Sequence, residues 1–347
     1  MRIVALTQNM EEAPTRYRIT QYQPFFFAQG CQLKTVVWPR ERHAQKLVAR
    51  SITANDVVVL QRRLPSAAII RELASRAGRM VFDFDDAVIF SDSARRTPRL
   101  LLDRWLRFKK LVRCCHTVTA GNAYLADLAS RHTARDHVVI VPTTLDLKKY
   151  PVQFASGSVR LRLLGWIGCH STLPYLYRLR NVLHRLAKTY PDLRLRVICD
   201  CPPDLPEIRT EWKPWNSETE VQDLSQVSVG LAPLPDDRWT RGKCGLRLLQ
   251  YLACRVPSVA SAVGTQRQII ESGGALPAAT DEQWCTAIRS LLDDQHTAES
   301  CVEGGLSLVT QFDLNRWGPV VQEAWCGRNL INHQGTKPTN MAWCLGG

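Results

Sequence analysis

The run GKCGLRLLQYLAC at 242–254, followed at 255–264 by RVPSVASAVG, sets two glycines and two cations at the start of an apolar-periodic helix, then a break and a buried strand. That combination is suited to binding phosphate. Gly242 and Gly245 allow the backbone to pass close to a ligand, and a helix beginning near Leu246 aims unpaired N–H groups and a partial positive charge at the same point. Lys243 and Arg247 add an ammonium and a forked guanidinium, with the amides of Gly245 and Leu246 completing the cradle. The plainer alternative is a basic helix end packed on a sheet. A second glycine-bearing turn lies in GWIGCHST at 165–172, where Gly165 and Gly168 bracket a strand end. Ser171 and Thr172 there resemble a helix cap that also reaches phosphate, and His170 reads as a surface residue.

The elements that must position these residues form two series. MRIVALTQ, LKTVVW, DVVVLQ, MVFDF, TVTA and HVVIVP read as buried strands, with helices between them such as 66–77 and 122–131. After a linker at 153–158, RLLGWIG, LRLRVICD, VSVGLAPL and PSVASAV supply further strands, with helices at 173–189, 218–226, 245–253 and 281–293. This is a doubly wound α/β pattern repeated, giving Rossmann-like domains at 1–155 and 156–327 and a tail at 328–347. The last helix is a candidate to pack back on the first domain. No glycine follows the first strand in NMEEAPTRYR, so a dinucleotide loop of the dehydrogenase kind is absent there.

With 347 residues, 45% of them hydrophobic, the chain can bury a large core. It shows neither a signal-peptide pattern nor an apolar run long enough to span a bilayer, which reads as cytoplasmic. Twelve cysteines scattered through strand and helix segments read as reduced thiols. Neither Cys114–Cys115 nor Cys199 with Cys201 has a second pair at zinc-finger spacing, so no structural metal site is expected. The formal charge of +13 calls for anionic partners.

GWIGCHST, VGLAPLPDDRW at 229–239, GKCGLRLLQYLACRVPSVAS at 242–261 and FDFDDAV at 82–88 together resemble a GT-B glycosyltransferase of the family-4 type. RYRITQY at 16–22, HTVTAGNAYL at 116–125 and VVIVPTTLD at 138–146 extend the resemblance to most of the chain up to about Trp325. It implies two Rossmann-like domains facing each other across a cleft, and sugar transfer from a UDP- or GDP-sugar with retention, without a metal or other cofactor. Most members of the family carry two glutamates separated by seven residues, where this chain has Gly242 and Gln250. Gln250 can still hydrogen-bond a ribose diol, and Gly242-Lys243 marks a subgroup rather than a dead enzyme.

On this reading Lys243 neutralises the leaving diphosphate with Arg241 in support, and Arg247 either joins them or lies on the outer helix face. Gly168, Ser171, Thr172, Gly245, Leu246 and Gln250 hold the donor, and Trp215 approaches its base. Strand alternation puts Asp83 and Asp85 on one face with Asp86 turned away. Asp85 or Asp86 accepts hydrogen bonds from acceptor hydroxyls or orients Arg62 or Arg16; a strand-end aspartate capping a turn is the ordinary alternative. Arg16, Arg18, Arg62 and Arg63, at the carboxyl edge of the first sheet, suit an anionic glycan or lipid-linked acceptor, with Asn122 and Tyr124 facing it from a helix start. A basic, apolar stretch at 95–113 is a candidate contact with an anionic membrane, which would make the protein peripheral on its inner face. Rival readings are a GT-B sugar-nucleotide epimerase, a nucleotide-sugar binder without turnover, and a nucleic-acid-binding module. The last lacks any recognition signature, so nucleic acid is not an expected partner.

Overall fold

The fold is given by a computed structural model, which describes residues 1–90, 98–150 and 162–327. The expected linker at 153–158, Arg95 and Arg96 of the basic stretch, and the tail at 328–347 lie outside the described residues. The chain divides into two compact units. Unit 1 holds Met1–Thr144, Asp237–Cys244 and the chain from Leu314, and unit 2 holds Leu145–Asp236 and Gly245–Asp313. The division therefore falls eleven residues before the expected one, because Leu145 bridges Asp313 and its N–H donates to the Phe312 carbonyl at 2.9 Å.

In unit 1, β1 (Arg2–Thr7), β2 (Gln32–Val37), β3 (Asp56–Gln61), β4 (Arg79–Phe84), β5 (Thr117–Ala120) and β6 (Val138–Ile140) form one parallel sheet in the order β2-β1-β3-β4-β5-β6. The Val- and Ile-rich strands are buried on both faces, as a parallel sheet requires. One face carries Leu6, Leu60, Phe82, Phe84 and Phe108, and the other Ile3, Val59, Val81 and Phe26. Helix Leu314–Cys326 completes this second layer with Trp317, Val321 and Trp325, the last stacked on Phe26 at 5.2 Å. Arg16 and Arg18 fall in a short helix, Ala13–Arg18.

In unit 2, β7 (Leu163–Ile167), β8 (Arg194–Cys199), β9 (Arg209–Pro214), β10 (Val229–Ala232), β11 (Ser258–Ala260) and β12 (Leu276–Pro277) are also parallel, in the order β12-β11-β10-β7-β8-β9. Counted from β7 this is the dinucleotide-fold order 3-2-1-4-5-6, whose switch point lies between β7 and β10. The expected helix at 173–189 is split into Leu173–Tyr177 and Arg180–Thr189.

The amino ends of β1 and β3 are fastened by a charge pair. Arg2 donates to Asp56 at 2.7 and 2.5 Å across adjacent strands, and the same carboxylate accepts from the N–H and hydroxyl of Thr53. The Arg2 hydrogen bonds hold the Asp56 pKa at about 2, against the opposing effect of burial. A carboxylate depressed on folding stabilises the fold above its unfolded pKa, and that contribution disappears as pH falls through the folded value. Asp56→Asn should therefore lower stability at neutral pH by about 2 kcal/mol and flatten the acid loss between about pH 4 and pH 2. Denaturant unfolding across that window checks it; parallel wild-type and variant curves would refute the assignment.

Candidate functional site

In unit 1 the carboxyl ends of β3, β4 and β5 gather a network of ions. Asp83, the last but one residue of β4, is buried and accepts from Arg18 at 2.5 and 3.1 Å and from the Thr119 hydroxyl at 2.7 Å. Arg18, equally buried, also donates to the carbonyls of Val141 and Pro142. Burial opposes both charges. The nearby Asp83 charge nevertheless keeps Arg18 protonated, whereas burial pushes the Asp83 carboxyl up, only partly offset by Arg18 and Thr119.

Above this pair, Arg62 reaches both carboxylates that follow β4: its Nε lies 3.2 Å from Asp85 and its Nη2 contacts Asp86. Arg62 adopts φ +56, a left-handed conformation that is costly for a residue with a Cβ and turns its side chain toward the aspartates. Asp86 is also paired with Lys243, whose Nζ lies 2.9 Å away and 4.9 Å from the ring centre of Trp239. Asp86 is thus enclosed between two cations, one of them the Arg62 that the sequence reading gave it as an alternative partner to an acceptor hydroxyl. Asp85 is the more exposed of the two.

The sequence reading put residues 237–244 with the second domain, and local packing explains why they belong to unit 1. A Cβ on Gly242 would lie 2.6 Å from the Ala87 nitrogen, and one on Gly121 would lie 2.3 Å from Cys244 Sγ. Gly242 therefore packs closely on Ala87. Asn122 caps helix Ala123–Ser130 through Leu125 N–H at 2.9 Å, and its amide donates to the carbonyls of Arg241 and Lys243 at 3.4 and 3.3 Å. Tyr124 likewise donates to the Arg238 carbonyl. Burial pushes the Cys244 thiol up to about 12. Arg241 is exposed, and Arg16 lies half-buried against the Tyr17 ring.

In unit 2 the first turn after β7 is the one singled out in the sequence. Gly168 is required there because a Cβ would lie 2.3 Å from the Trp166 ring and 2.7 Å from Thr172 Oγ1. Thr172 accepts from Cys169 N–H at 3.1 Å, and Ser171 Oγ lies 3.0 Å from Cys169 Sγ, so both hydroxyls brace the turn. Helix Leu246–Ala253 starts at Gly245, which holds φ +73, and no side chain caps that end. Arg247 is not on an outer face. It lies over Trp166 at 4.6 Å, donates to the Ile167 carbonyl and loses basicity through burial. It thereby joins the helix start to the turn at the switch point. Gln250 is buried, and the Trp215 indole N–H donates to Glu220 at 2.8 Å.

The pairings of Arg18 with Asp83 and of Lys243 with Asp86 were not read from the sequence, since they join residues 65 and 157 positions apart. The one available signal was that both aspartates lie at the carboxyl end of the buried strand β4, Asp83 within it and Asp86 just beyond it.

No protein-family model matches the sequence, and no curated protein matches it. Solved structures do. WaaG, a glycosyltransferase involved in lipopolysaccharide biosynthesis, is 13% identical with a TM-score of 0.72 over 94% of this chain and 100% of that one. Sucrose-phosphate synthase from Thermosynechococcus elongatus is 14% identical, with a TM-score of 0.68 over 93% of this chain and 96% of that one. HepE from Anabaena, solved in complex with UDP and glucose, is 11% identical, with a TM-score of 0.66 over 93% of this chain and 98% of that one. Together with the two six-stranded parallel sheets, these likenesses establish that the chain has the GT-B fold, in which its similar structures are glycosyltransferases.

Proposed function

We propose that the protein transfers a sugar from a UDP- or GDP-sugar to a glycan or lipid-linked acceptor, with retention at the anomeric carbon and without a metal ion. The observation that carries this reading is the switch point of unit 2, where the Gly168 turn, Arg247 and the uncapped helix start at Gly245 converge. Such a site favours a diphosphate, because backbone N–H groups and a helix dipole offer fixed positive potential. The similar HepE structure contains UDP and glucose, which supports the donor class. Gly168, Ser171, Thr172, Gly245, Leu246, Arg247 and Gln250 hold the nucleotide, with Trp215 offering its ring to the base.

Breaking the bond between the anomeric carbon and the β-phosphate oxygen leaves charge on the phosphate. Lys243 and Arg241 neutralise it, and cations fixed before reaction lower the barrier more than mobile ones. Asp86 holds the Lys243 ammonium at 2.9 Å, which fixes the position of the cation. Asp85, with Arg62 beside it, accepts from the attacking hydroxyl, and Arg16 supplements Arg62 toward an anionic acceptor.

Membrane contact through the basic stretch is part of this reading. Among the described residues no helix is long and apolar enough to cross a membrane. Helix Pro98–Cys114 buries Phe108, Leu111 and Val112 and exposes Arg99, Leu102, Leu106 and Arg113 along one stripe, with Lys110 half-buried on it. Arg104 donates to the Val88 carbonyl and Arg107 pairs with Asp103, so fewer charges serve a surface than the sequence suggested.

A nucleoside diphosphate should raise the melting temperature, since it binds only the folded state. Lys243→Ala should remove most of that rise and lower turnover roughly 100-fold or more, while Arg62 continues to neutralise Asp86 and the fold persists. Turnover of the wild type should survive excess EDTA. Equal thermal shifts in variant and wild type, or activity lost on chelation and restored by manganese, would refute the assignment.

Co-sedimentation should be seen with anionic but not neutral vesicles and should fall with added salt. Leu102→Ser/Leu106→Ser and Lys110→Glu/Arg113→Glu should each reduce it. Equal recovery on both vesicle types, or no effect of either double variant, would remove the membrane from the account.

A further inference from the structure

We propose that unit 2 carries a soft divalent-metal site of the Zn²⁺ type, built from Cys199, Asp200, Cys201 and His170 at the carboxyl ends of β7 and β8. The sequence offers only a Cys-x-Cys pair. Folding supplies the missing ligands, because β7 and β8 are neighbours and bring the turn after one beside the turn after the other. Cys199, Asp200 and Cys201 each present a donor atom within 4.8 Å of the others. Cys199 Sγ lies 3.2 Å from Asp200 Oδ1, and His170 Nδ1 lies 2.7 Å from Asp200 Oδ2. The edges of a tetrahedral zinc site measure roughly 3–4 Å, close to the spacing already held by Cys199, Asp200 and Cys201, and the contact with Asp200 brings His170 to the edge of this cluster as the fourth ligand.

Two sulfurs, one imidazole and one carboxylate form a set that suits Zn²⁺ and is poor for Mg²⁺ or Ca²⁺, which require oxygen ligands. The carboxylate is already oriented: it accepts the His170 backbone N–H at 2.6 Å as well as the ring contact. Burial opposes the Asp200 charge, but the His170 and Cys199 hydrogen bonds hold its pKa below the ordinary value. Burial pushes the Cys199 thiol up to about 12.

Binding therefore exchanges two S–H bonds for two S–Zn bonds and releases two protons to solvent, with no change of oxidation state. The charged and titratable groups around these thiols are Asp200 beside them, His170 and Cys169 from the turn after β7, and Arg247 from helix Leu246–Ala253. Affinity should rise with pH as the thiol protons become easier to displace.

The test uses the full chain, reduced and stripped of metal, titrated with Co²⁺ and then with Zn²⁺ against a chromophoric chelator. One Co²⁺ per chain should bind with sulfur-to-cobalt charge-transfer absorption and tetrahedral visible bands. Cys201→Ser should remove most of the charge-transfer intensity and weaken Zn²⁺ binding about 10-fold or more. His170→Ala, at an exposed position that does not threaten folding, should weaken binding in the same way. Cys114→Ser should change neither. The proposal is overturned if folded wild type shows no thiolate-to-cobalt absorption, or if Cys201→Ser and His170→Ala both keep the wild-type spectrum and affinity.

Discussion

The buried pair of Arg18 with Asp83 is the constraint on which unit 1 is organised. Removing one member of such a pair typically costs about 3–5 kcal/mol, because the other charge stays buried without its partner. The pair can form only when helix Ala13–Arg18, the end of β4, Thr119 of β5 and the carbonyls after β6 all meet. Once they do, the carboxyl edge of the sheet is fixed. Residues 85 and 86 then emerge from β4 beside Arg62, itself held in a left-handed conformation by its position after β3.

That edge captures the segment Asp237–Cys244. Gly242 packs on Ala87, Asn122 clamps two carbonyls, and the Lys243 ammonium reaches Asp86. Chain continuity leaves Lys243 two residues before the glycine that opens helix Leu246–Ala253 in unit 2.

The strands of both sheets were legible because Val- and Ile-rich runs such as DVVVLQ carry their own signal. Edge strands β9 and β12 were less so: β9 alternates half-buried with exposed residues, and β12 has two residues. The phosphate motif was legible as a cluster of residue types, but the packing of its members was not: Gly242 packs on Ala87, and Asn122 caps a helix and clamps two carbonyls. Arg247, left between cradle and outer face, proved to bridge the helix start and the Gly168 turn. Such distinctions depend on contacts between residues far apart in sequence, 80 positions for Arg247 with Ile167 and 119 for Asn122 with Arg241, and no local pattern encodes them.

The central claim is that Asp86 acts through Lys243 to hold a cation on the leaving diphosphate. A double-mutant cycle with Asp86→Asn, Lys243→Met and the combination, read as nucleoside diphosphate affinity by calorimetry, tests it most directly. The account predicts that each single change weakens binding and that Asp86→Asn adds little once Lys243 is gone, a coupling of about 1 kcal/mol or more. Losses that simply add would show that the two residues act separately and would contradict the claim.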